Sequence, residues 1–138
     1  AAESGKAAEA ILQDRLIDDM HPMVRQVQIA CDHAKGAMAR ISGKDNPRFE
    51  DNEITFAELH DRIARTVAFV QSFKPADLDG HEDVSVTIRY PGAELNFKAQ
   101  DYLINYALPN FYFHVSMAYA IARKNGVPLG KANFMGRE

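Results

Sequence analysis

Two polar side chains, Asn110 and His114, lie one helical turn apart in an otherwise apolar segment near the end of the chain. At roughly 100° per residue, they share a helix face with four apolar residues: Leu103, Ala107, Met117 and Ile121. Burying an amide or an imidazole costs roughly 1–3 kcal/mol unless each finds a partner. Because an imidazole titrates near neutral pH, His114 and Asn110 are candidate catalytic residues. The competing interpretation is an interior histidine that hydrogen-bonds to a neighbouring residue, for which Asn110, one turn back, is a candidate.

Pro109 stands beside this pair and predicts an irregularity in the helix. It removes one backbone donor and crowds the carbonyl of Asn105, so we expect a kink or bulge there. A freed carbonyl and a buried polar pair would together leave a small wet pocket. We expect Gln26, His33 and Tyr106 to form the substrate-binding part of such a site.

Other residues that could do chemistry form no recognisable constellation. No Ser/His/Asp catalytic grouping can be recognised in the sequence, and no two carboxylates share an apolar helix face. The single cysteine, Cys31, lies at an apolar helix position and predicts buried packing. One cysteine also excludes an internal disulfide and favours a reducing, cytoplasmic location.

Composition limits the class of protein. The 138 residues predict one domain over 1–138, with 46% hydrophobic and 25% charged residues, typical of a globular protein. A net charge of −3 without a basic stripe argues against nucleic-acid binding. No apolar run approaches the roughly 20 residues that span a bilayer, which argues against a membrane protein.

Hydrophobic periodicity predicts four helices and one hairpin. The helices are expected over residues 6–17, 22–41, 56–73 and 100–124, and the strands over 84–90 and 95–97. Asp18 or Asp19 is expected to cap the second helix, and Thr55 with Glu58 forms a capping box for the third. The third helix should bury one apolar stripe: Phe56, Leu59, Ile63, Val67, Val70 and Phe73.

Three long amphipathic helices predict a mainly α-helical four-helix bundle, of up-down type, that lacks one member. The short first helix is too small to cover the remaining apolar groove. Either a second copy of the chain covers the groove in a homodimer, or a further helix is encoded upstream.

Several separated blocks resemble one uncharacterised bacterial and fungal family, labelled only as a domain of unknown function. The blocks occur in order over nearly the whole chain: 15–22, 25–30, 34–36, 55–59, 100–103, 109–115, 118–123, 125–127 and 130–131. Members of that family usually carry another helix before the point where this chain begins. The resemblance therefore implies that the first helix of the bundle is absent here.

That family is similar to the DinB/YfiT-like superfamily of four-helix bundles, many of which are regarded as metalloenzymes. Its known enzymes include thiol-dependent S-transferases and a mycothiol-dependent isomerase. The resemblance implies a metal site made by one histidine of the second helix and a His-x-x-x-His pair of the last. His114 matches the second histidine of the pair and His33 lies nearest to the second-helix ligand, but Asn110 stands where the first histidine belongs. Asn is a poor ligand for zinc or nickel, so we predict no tightly bound metal or other cofactor.

Two hypotheses of different classes follow. The first is a cytoplasmic enzyme with a small-molecule or thiol-dependent transferase site around His114. The second is a non-enzymatic, dimerising helical module whose metal site has degenerated.

Overall fold

The computed structural model describes residues 8–137 and shows a helical bundle with a β-hairpin inserted before its last long helix. Helix α1 is described only at residues 8–11. The other elements are α2 (Met23–Ser42), α3 (Phe56–Gln71), α4 (Pro75–Leu78), β1 (Ser85–Tyr90), β2 (Ala93–Lys98), α5 (Ala99–Tyr102), a π-helical segment (Leu103–Ala107), α6 (Leu108–Lys124) and α7 (Lys131–Phe134). The predicted mainly α-helical fold with a hairpin is therefore confirmed. No helix within these residues is long and apolar enough to cross a bilayer.

The predicted first helix, 6–17, is wrong at its end, because helical structure stops at residue 11. Residues 6 and 7 lie outside the described part. Beyond the helix, the Leu12 carbonyl accepts from the amide of Val24 at 2.9 Å, and the Asp14 carbonyl accepts from Met23 at 3.0 Å. These bonds hold the chain against the start of α2. A helix that continued past residue 11 would need the same two carbonyls for its own hydrogen bonds, so the helix ends there.

Helix α2 begins directly after Pro22 and ends at Gly43, whose φ of 74° is the left-handed conformation that glycine adopts readily. No side chain caps its first turn, so the expected cap from Asp18 or Asp19 is wrong. The helix packs mainly on α6 and also on α3. It is thus the element that carries side chains toward both neighbours.

Helix α3 begins with the predicted capping box. The amide of Glu58 donates to Oγ1 of Thr55 at 3.1 Å, and the Glu58 carboxylate accepts from the Thr55 amide at 3.0 Å. Its buried face differs from the prediction, because the buried residues are Leu59, Arg62 and Thr66. Ile63 and Val67 of the expected stripe are 40% and 46% exposed. Ile63, Val67 and Val70 line an open cleft, whereas Leu59 lies in a core cluster with Leu12 and Val24.

The loop between α2 and α3 is fastened by Arg62, whose side chain is 0% exposed. Its guanidinium lies 2.9 Å from Asp32, 3.0 Å from Asp51 and 2.9 Å from Glu53. Burial by itself raises the pKa of Glu53, but hydrogen bonds from Arg62 and Gln28 outweigh it and lower that pKa. Arg62 therefore joins the loop to both long helices.

The hairpin pairs β1 with β2 antiparallel, in a register that places Val86 opposite Phe97 and Ile88 opposite Leu95. Gly92 takes a φ of 79° in the turn. One face of β1 joins a core cluster with α2, α5 and the π-helical segment, formed by Ala37, Ile41, Val86, Ile88, Ala99, Tyr102 and Ala107. The hairpin is thus packed against the beginning of the last helical rod.

The rod made by α5, the π-helical segment and α6 contains the irregularity predicted from Pro109. The N–H of Leu108 bonds to the carbonyl of Leu103, five residues back, which widens the turn. Pro109 follows at once, in the first turn of α6, where its missing N–H is tolerated. The expected bulge is confirmed, and it takes the π-helical form.

Candidate functional site

The site is centred on a hydrogen bond between two helices. Nδ1 of His114 on α6 lies 2.6 Å from Oε1 of Gln26 on α2. Nε2 of Gln26 donates to the backbone carbonyl of His21 at 3.2 Å, which fixes the orientation of the amide. Oε1 is an acceptor only, so Nδ1 of His114 carries the proton, and Nε2 of the neutral ring holds the free lone pair.

Gln26 is positioned rigidly, whereas His114 keeps some access to solvent. The Gln26 side chain is 1% exposed, and His114 is only partly buried. Nε2 of His114 has no hydrogen-bond partner among residues 8–137 and is not a buried, unsatisfied atom. Nδ1 of His114 is held by the buried Gln26 amide, whereas Nε2 is free, so Nε2 can accept a proton from a ligand.

His33 lies beside this pair, on the next part of α2. Its ring is stacked against His114, with centroids 6.0 Å apart and 12° between the planes. Tyr106 meets the same His33 ring edge-on, at 5.7 Å between centroids. The four sequence-predicted residues Gln26, His33, Tyr106 and His114 are thus brought together.

Asn110, the fifth predicted residue, is used differently. Its Nδ2 donates to the backbone carbonyl of Tyr106 at 2.8 Å, within its own rod. His114 does hydrogen-bond to a neighbouring side chain, but the partner is Gln26 on α2 and not the candidate Asn110. The Asn110 side chain thus bonds to the backbone of the π-helical segment and not to the histidines.

A pocket of about 200 Å³ lies at the bulge, between α2, α3 and the last rod. His33 is its one titratable wall residue, beside apolar side chains that include Leu103, Ala107 and Phe111. Neither His114 nor Asn110 lines it. The pocket therefore approaches the histidine pair from the His33 side.

The electrostatic surroundings favour neutral imidazoles. Burial, with smaller contributions from the charges of His114 and Arg40, lowers the pKa of His33 to about 4. Burial also lowers the pKa of His114, and the charges of His21 and Arg25 add to that effect. Both rings are therefore mainly uncharged at neutral pH.

The donor set does not fit the metal site that the superfamily resemblance implies. No group of three or more His, Cys, Asp or Glu side chains within the described residues is arranged to hold a metal ion. The imidazoles of His33 and His114 are present, and Nε2 of His114 is free to coordinate, but the Asn110 amide is directed to a backbone carbonyl, which leaves only two nitrogen ligands. A zinc site normally needs three or four N, O or S ligands from the protein.

Two neighbours of the site were not predicted from the sequence. The hydroxyl of Tyr90, at the end of β1, hydrogen-bonds to the hydroxyl of Tyr106. Nη1 of Arg40 donates to the hydroxyl of Tyr102 at 3.0 Å. The sequence carried only a weak signal for them: Tyr90 ends a strand of alternating polarity, and Arg40 lies near the end of the predicted second helix.

Comparisons with known proteins cover almost the whole chain. The family described as "Domain of unknown function (DUF1993)" matches residues 1–135. A crystal structure of a DinB family member protein from Shewanella denitrificans is similar to this one, with a TM-score of 0.84 and 38% sequence identity. The match covers 95% of this chain and 74% of that protein. No curated protein matches the sequence.

Proposed function

The chain belongs to the family of the domain of unknown function DUF1993, and from this premise we propose that it carries a small-molecule site of the thiol-transferase type centred on His114. The observation that supports this proposal is the 2.6 Å hydrogen bond between His114 and Gln26, because it leaves Nε2 as the basic atom. The resemblance to a superfamily that contains thiol-dependent transferases suggests the class of reaction. We propose that the substrates bind between α2 and α6, beside the rings of His114 and His33.

In the proposed reaction, Nε2 of His114 accepts the proton of a substrate thiol. The resulting thiolate attacks an electrophilic carbon of the second substrate and forms the new C–S bond. The leaving group departs with the electron pair of its own bond. A basic leaving group takes up the proton from His114, and with a weakly basic one such as chloride the proton passes to water. Gln26 holds the imidazole in the required tautomer, while His33 and Tyr106 form the wall against which the substrates bind.

We propose that this reaction proceeds without a bound transition metal. The candidate ligands are two imidazoles, and within the described residues no third His, Cys, Asp or Glu side chain joins them in an arrangement that could hold a metal ion. The prediction is that purified, tag-free protein contains far less than one zinc or nickel ion per chain by elemental analysis. About one equivalent of either metal would contradict it.

The proposal is tested by a conjugation assay with glutathione as the thiol and 1-chloro-2,4-dinitrobenzene as the electrophile. His114→Asn should lower the rate by about 10²-fold, because it removes the general base. His60→Asn, which changes an exposed histidine of α3, is the matched control and should leave the rate unchanged. A chelator should also have no effect. A wild-type rate in His114→Asn would refute the role of His114.

A second function, of a different class, is favoured by the apolar cleft between α2, α3 and α6. Its volume is about 500 Å³, and its walls include Val27, Ile63, Val67 and Phe111. A second copy of the chain would bury these side chains, as expected for a non-enzymatic module that acts through homodimerisation.

The proposed location is the cytoplasm. The sequence contains a single cysteine, Cys31, which is free and buried among α2 and α3 side chains. A free thiol is typical of proteins in a reducing compartment.

A further inference from the structure

A buried lysine stands apart from the histidine site, on the side of α2 that faces the loop before α3. Lys35 is only 5% exposed. Its Nζ donates to Oδ1 of Asn46 at 3.1 Å and to the backbone carbonyl of Pro47, and it lies 4.8 Å from the centre of the Phe49 ring. All of these partners are uncharged.

No carboxylate within residues 8–137 lies at ion-pair distance from the Lys35 ammonium. Burial accordingly lowers the pKa of Lys35. A buried cation without a counter-charge is costly, and proteins normally pair it. An ammonium also has three donors, of which the two protein bonds use two. The third has no hydrogen-bond acceptor among the described residues.

Two arginines complete a cationic wall around a pocket of about 300 Å³ that Lys35 lines. Arg48 is exposed, and in the described part of the chain it forms no hydrogen bond or ion pair. Arg40 folds back along α2, so that its guanidinium lies over Gly36. A methyl group at Gly36 would overlap Nη1 of Arg40 and lie 3.2 Å from its Cζ. The absence of a side chain at Gly36 therefore makes room for this arginine.

Two acids, Asp32 and Asp51, also line the pocket. Asp32 lies 2.9 Å from Nη2 of Arg62, and Asp51 lies 3.0 Å from both Arg62 and Arg25. Because Arg62 also binds Glu53, two arginines share three carboxylates, and this network keeps one negative charge. Lys35, Arg40 and Arg48 add three positive charges, so the pocket and its surroundings carry a net charge of +2.

We propose that this pocket binds the oxyanion group of a small molecule, a carboxylate or a phosphate. The buried ammonium of Lys35 donates one hydrogen bond to an oxygen of the ligand, and the guanidinium groups of Arg40 and Arg48 hold the others. Planar guanidinium groups match the geometry of both oxyanions. The volume accommodates more than a single ion, so the oxyanion is one end of a larger ligand. None of the histidine-site residues lines this pocket, and the proposal is independent of the thiol reaction.

The test is a titration of the full chain with inorganic phosphate and, separately, with sodium acetate. Ionic strength is kept constant with sodium chloride, and the backbone amide shifts of Asn46 and Phe49 are followed by NMR. At least one of the two anions should give saturable shifts, and the better one identifies the oxyanion class. Arg48→Gln should weaken binding about tenfold, because one charge-assisted hydrogen bond is lost.

Two further variants separate a site from a general charge effect. Arg89→Gln removes an exposed positive charge from the hairpin and should leave binding unchanged. Gly36→Ala should displace the Arg40 guanidinium and weaken binding while the helix persists, because alanine has the higher helix propensity. Shifts that never saturate with either anion would overturn the proposal. So would equal affinities of the wild type and Arg48→Gln, or equal losses in Arg48→Gln and Arg89→Gln.

Discussion

At the scale of single residues, His33 connects the site to pH. Its imidazole faces His114, Arg40 and Tyr106, and its pKa in the folded chain is about 4, against an ordinary value of 6.5. The unfolded chain therefore binds more protons between these two values, so the free energy of unfolding falls as the pH is lowered from about 6.5 to 4.

We predict that His33→Gln flattens this part of the stability profile. Each pKa unit corresponds to about 1.4 kcal/mol, so the difference between wild type and variant should change by more than about 1 kcal/mol across the window. Urea unfolding at a series of pH values measures it. His60→Gln, on the exposed side of α3, is the control that should keep the wild-type slope. An unchanged slope in His33→Gln would contradict the buried, neutral state of this ring.

The sequence was sufficient to identify most residues of the histidine site. Helical periodicity identifies Gln26, His33 and His114 on two helices, because each of these polar residues lies on or beside an apolar stripe. It does not supply the partner, because Asn110 and Gln26 are equally good acceptors until the helices are placed. Tyr90 could not be found in this way, because its contact depends on how the hairpin packs.

At the scale of elements, the connection between α2 and α3 depends on one side chain. Arg62 binds Asp32 on α2 and Asp51 and Glu53 in the loop, and it is fully buried. Removing one partner from a buried ion network leaves the others uncompensated, which costs about 3–5 kcal/mol. Asp32 and Asp51 retain over 40% side-chain exposure and can be hydrated, so the lower end of that range applies.

We therefore predict that Arg62→Met lowers the free energy of unfolding by about 3 kcal/mol and increases hydrogen exchange in the loop. Arg65→Met, three residues along the same helix, removes an exposed ion pair with Asp61 and should cost less than about 1 kcal/mol. Denaturant unfolding of both variants measures the difference. Equal costs for the two would show that the buried network adds nothing to stability.

Helix α3 shows where periodicity stops being informative. The pattern correctly predicted the helix and its capping box, but its apolar stripe was assigned to the core. Periodicity cannot distinguish an apolar residue in the core from one in a cleft, and Ile63 and Val67 are in the cleft. Arg62 was missed because charged residues usually face solvent, and its acid partners lie up to 30 positions away.

At the scale of the whole molecule, the cleft leaves an apolar surface open to water. Its walls come from all three long helices, and Ile63 and Val67 are 40% and 46% exposed. Apolar surface of this kind usually meets a partner. We predict that the chain self-associates, with light scattering giving twice the mass of one chain.

Val67→Glu should shift this equilibrium to the monomer, because it places a charge in the cleft. Ala68→Glu, an adjacent exposed position on the other side of α3, introduces the same charge outside the cleft and should leave the dimer intact. A compact, well-folded monomer of the unchanged chain at all concentrations would refute the prediction.

The buried guanidinium of Arg62 also constrains how this sequence can change over evolutionary time. A neutral residue at position 62 leaves the buried carboxylate of Glu53 without a counter-charge. A neutral residue at position 53 leaves Arg62 with only Asp32 and Asp51, which are both partly exposed to solvent. Each single step is therefore deleterious, whereas replacing the ions together with apolar residues is close to neutral. We expect positions 32, 51, 53 and 62 to be inherited as a unit: relatives should either keep all four charges or have exchanged them jointly.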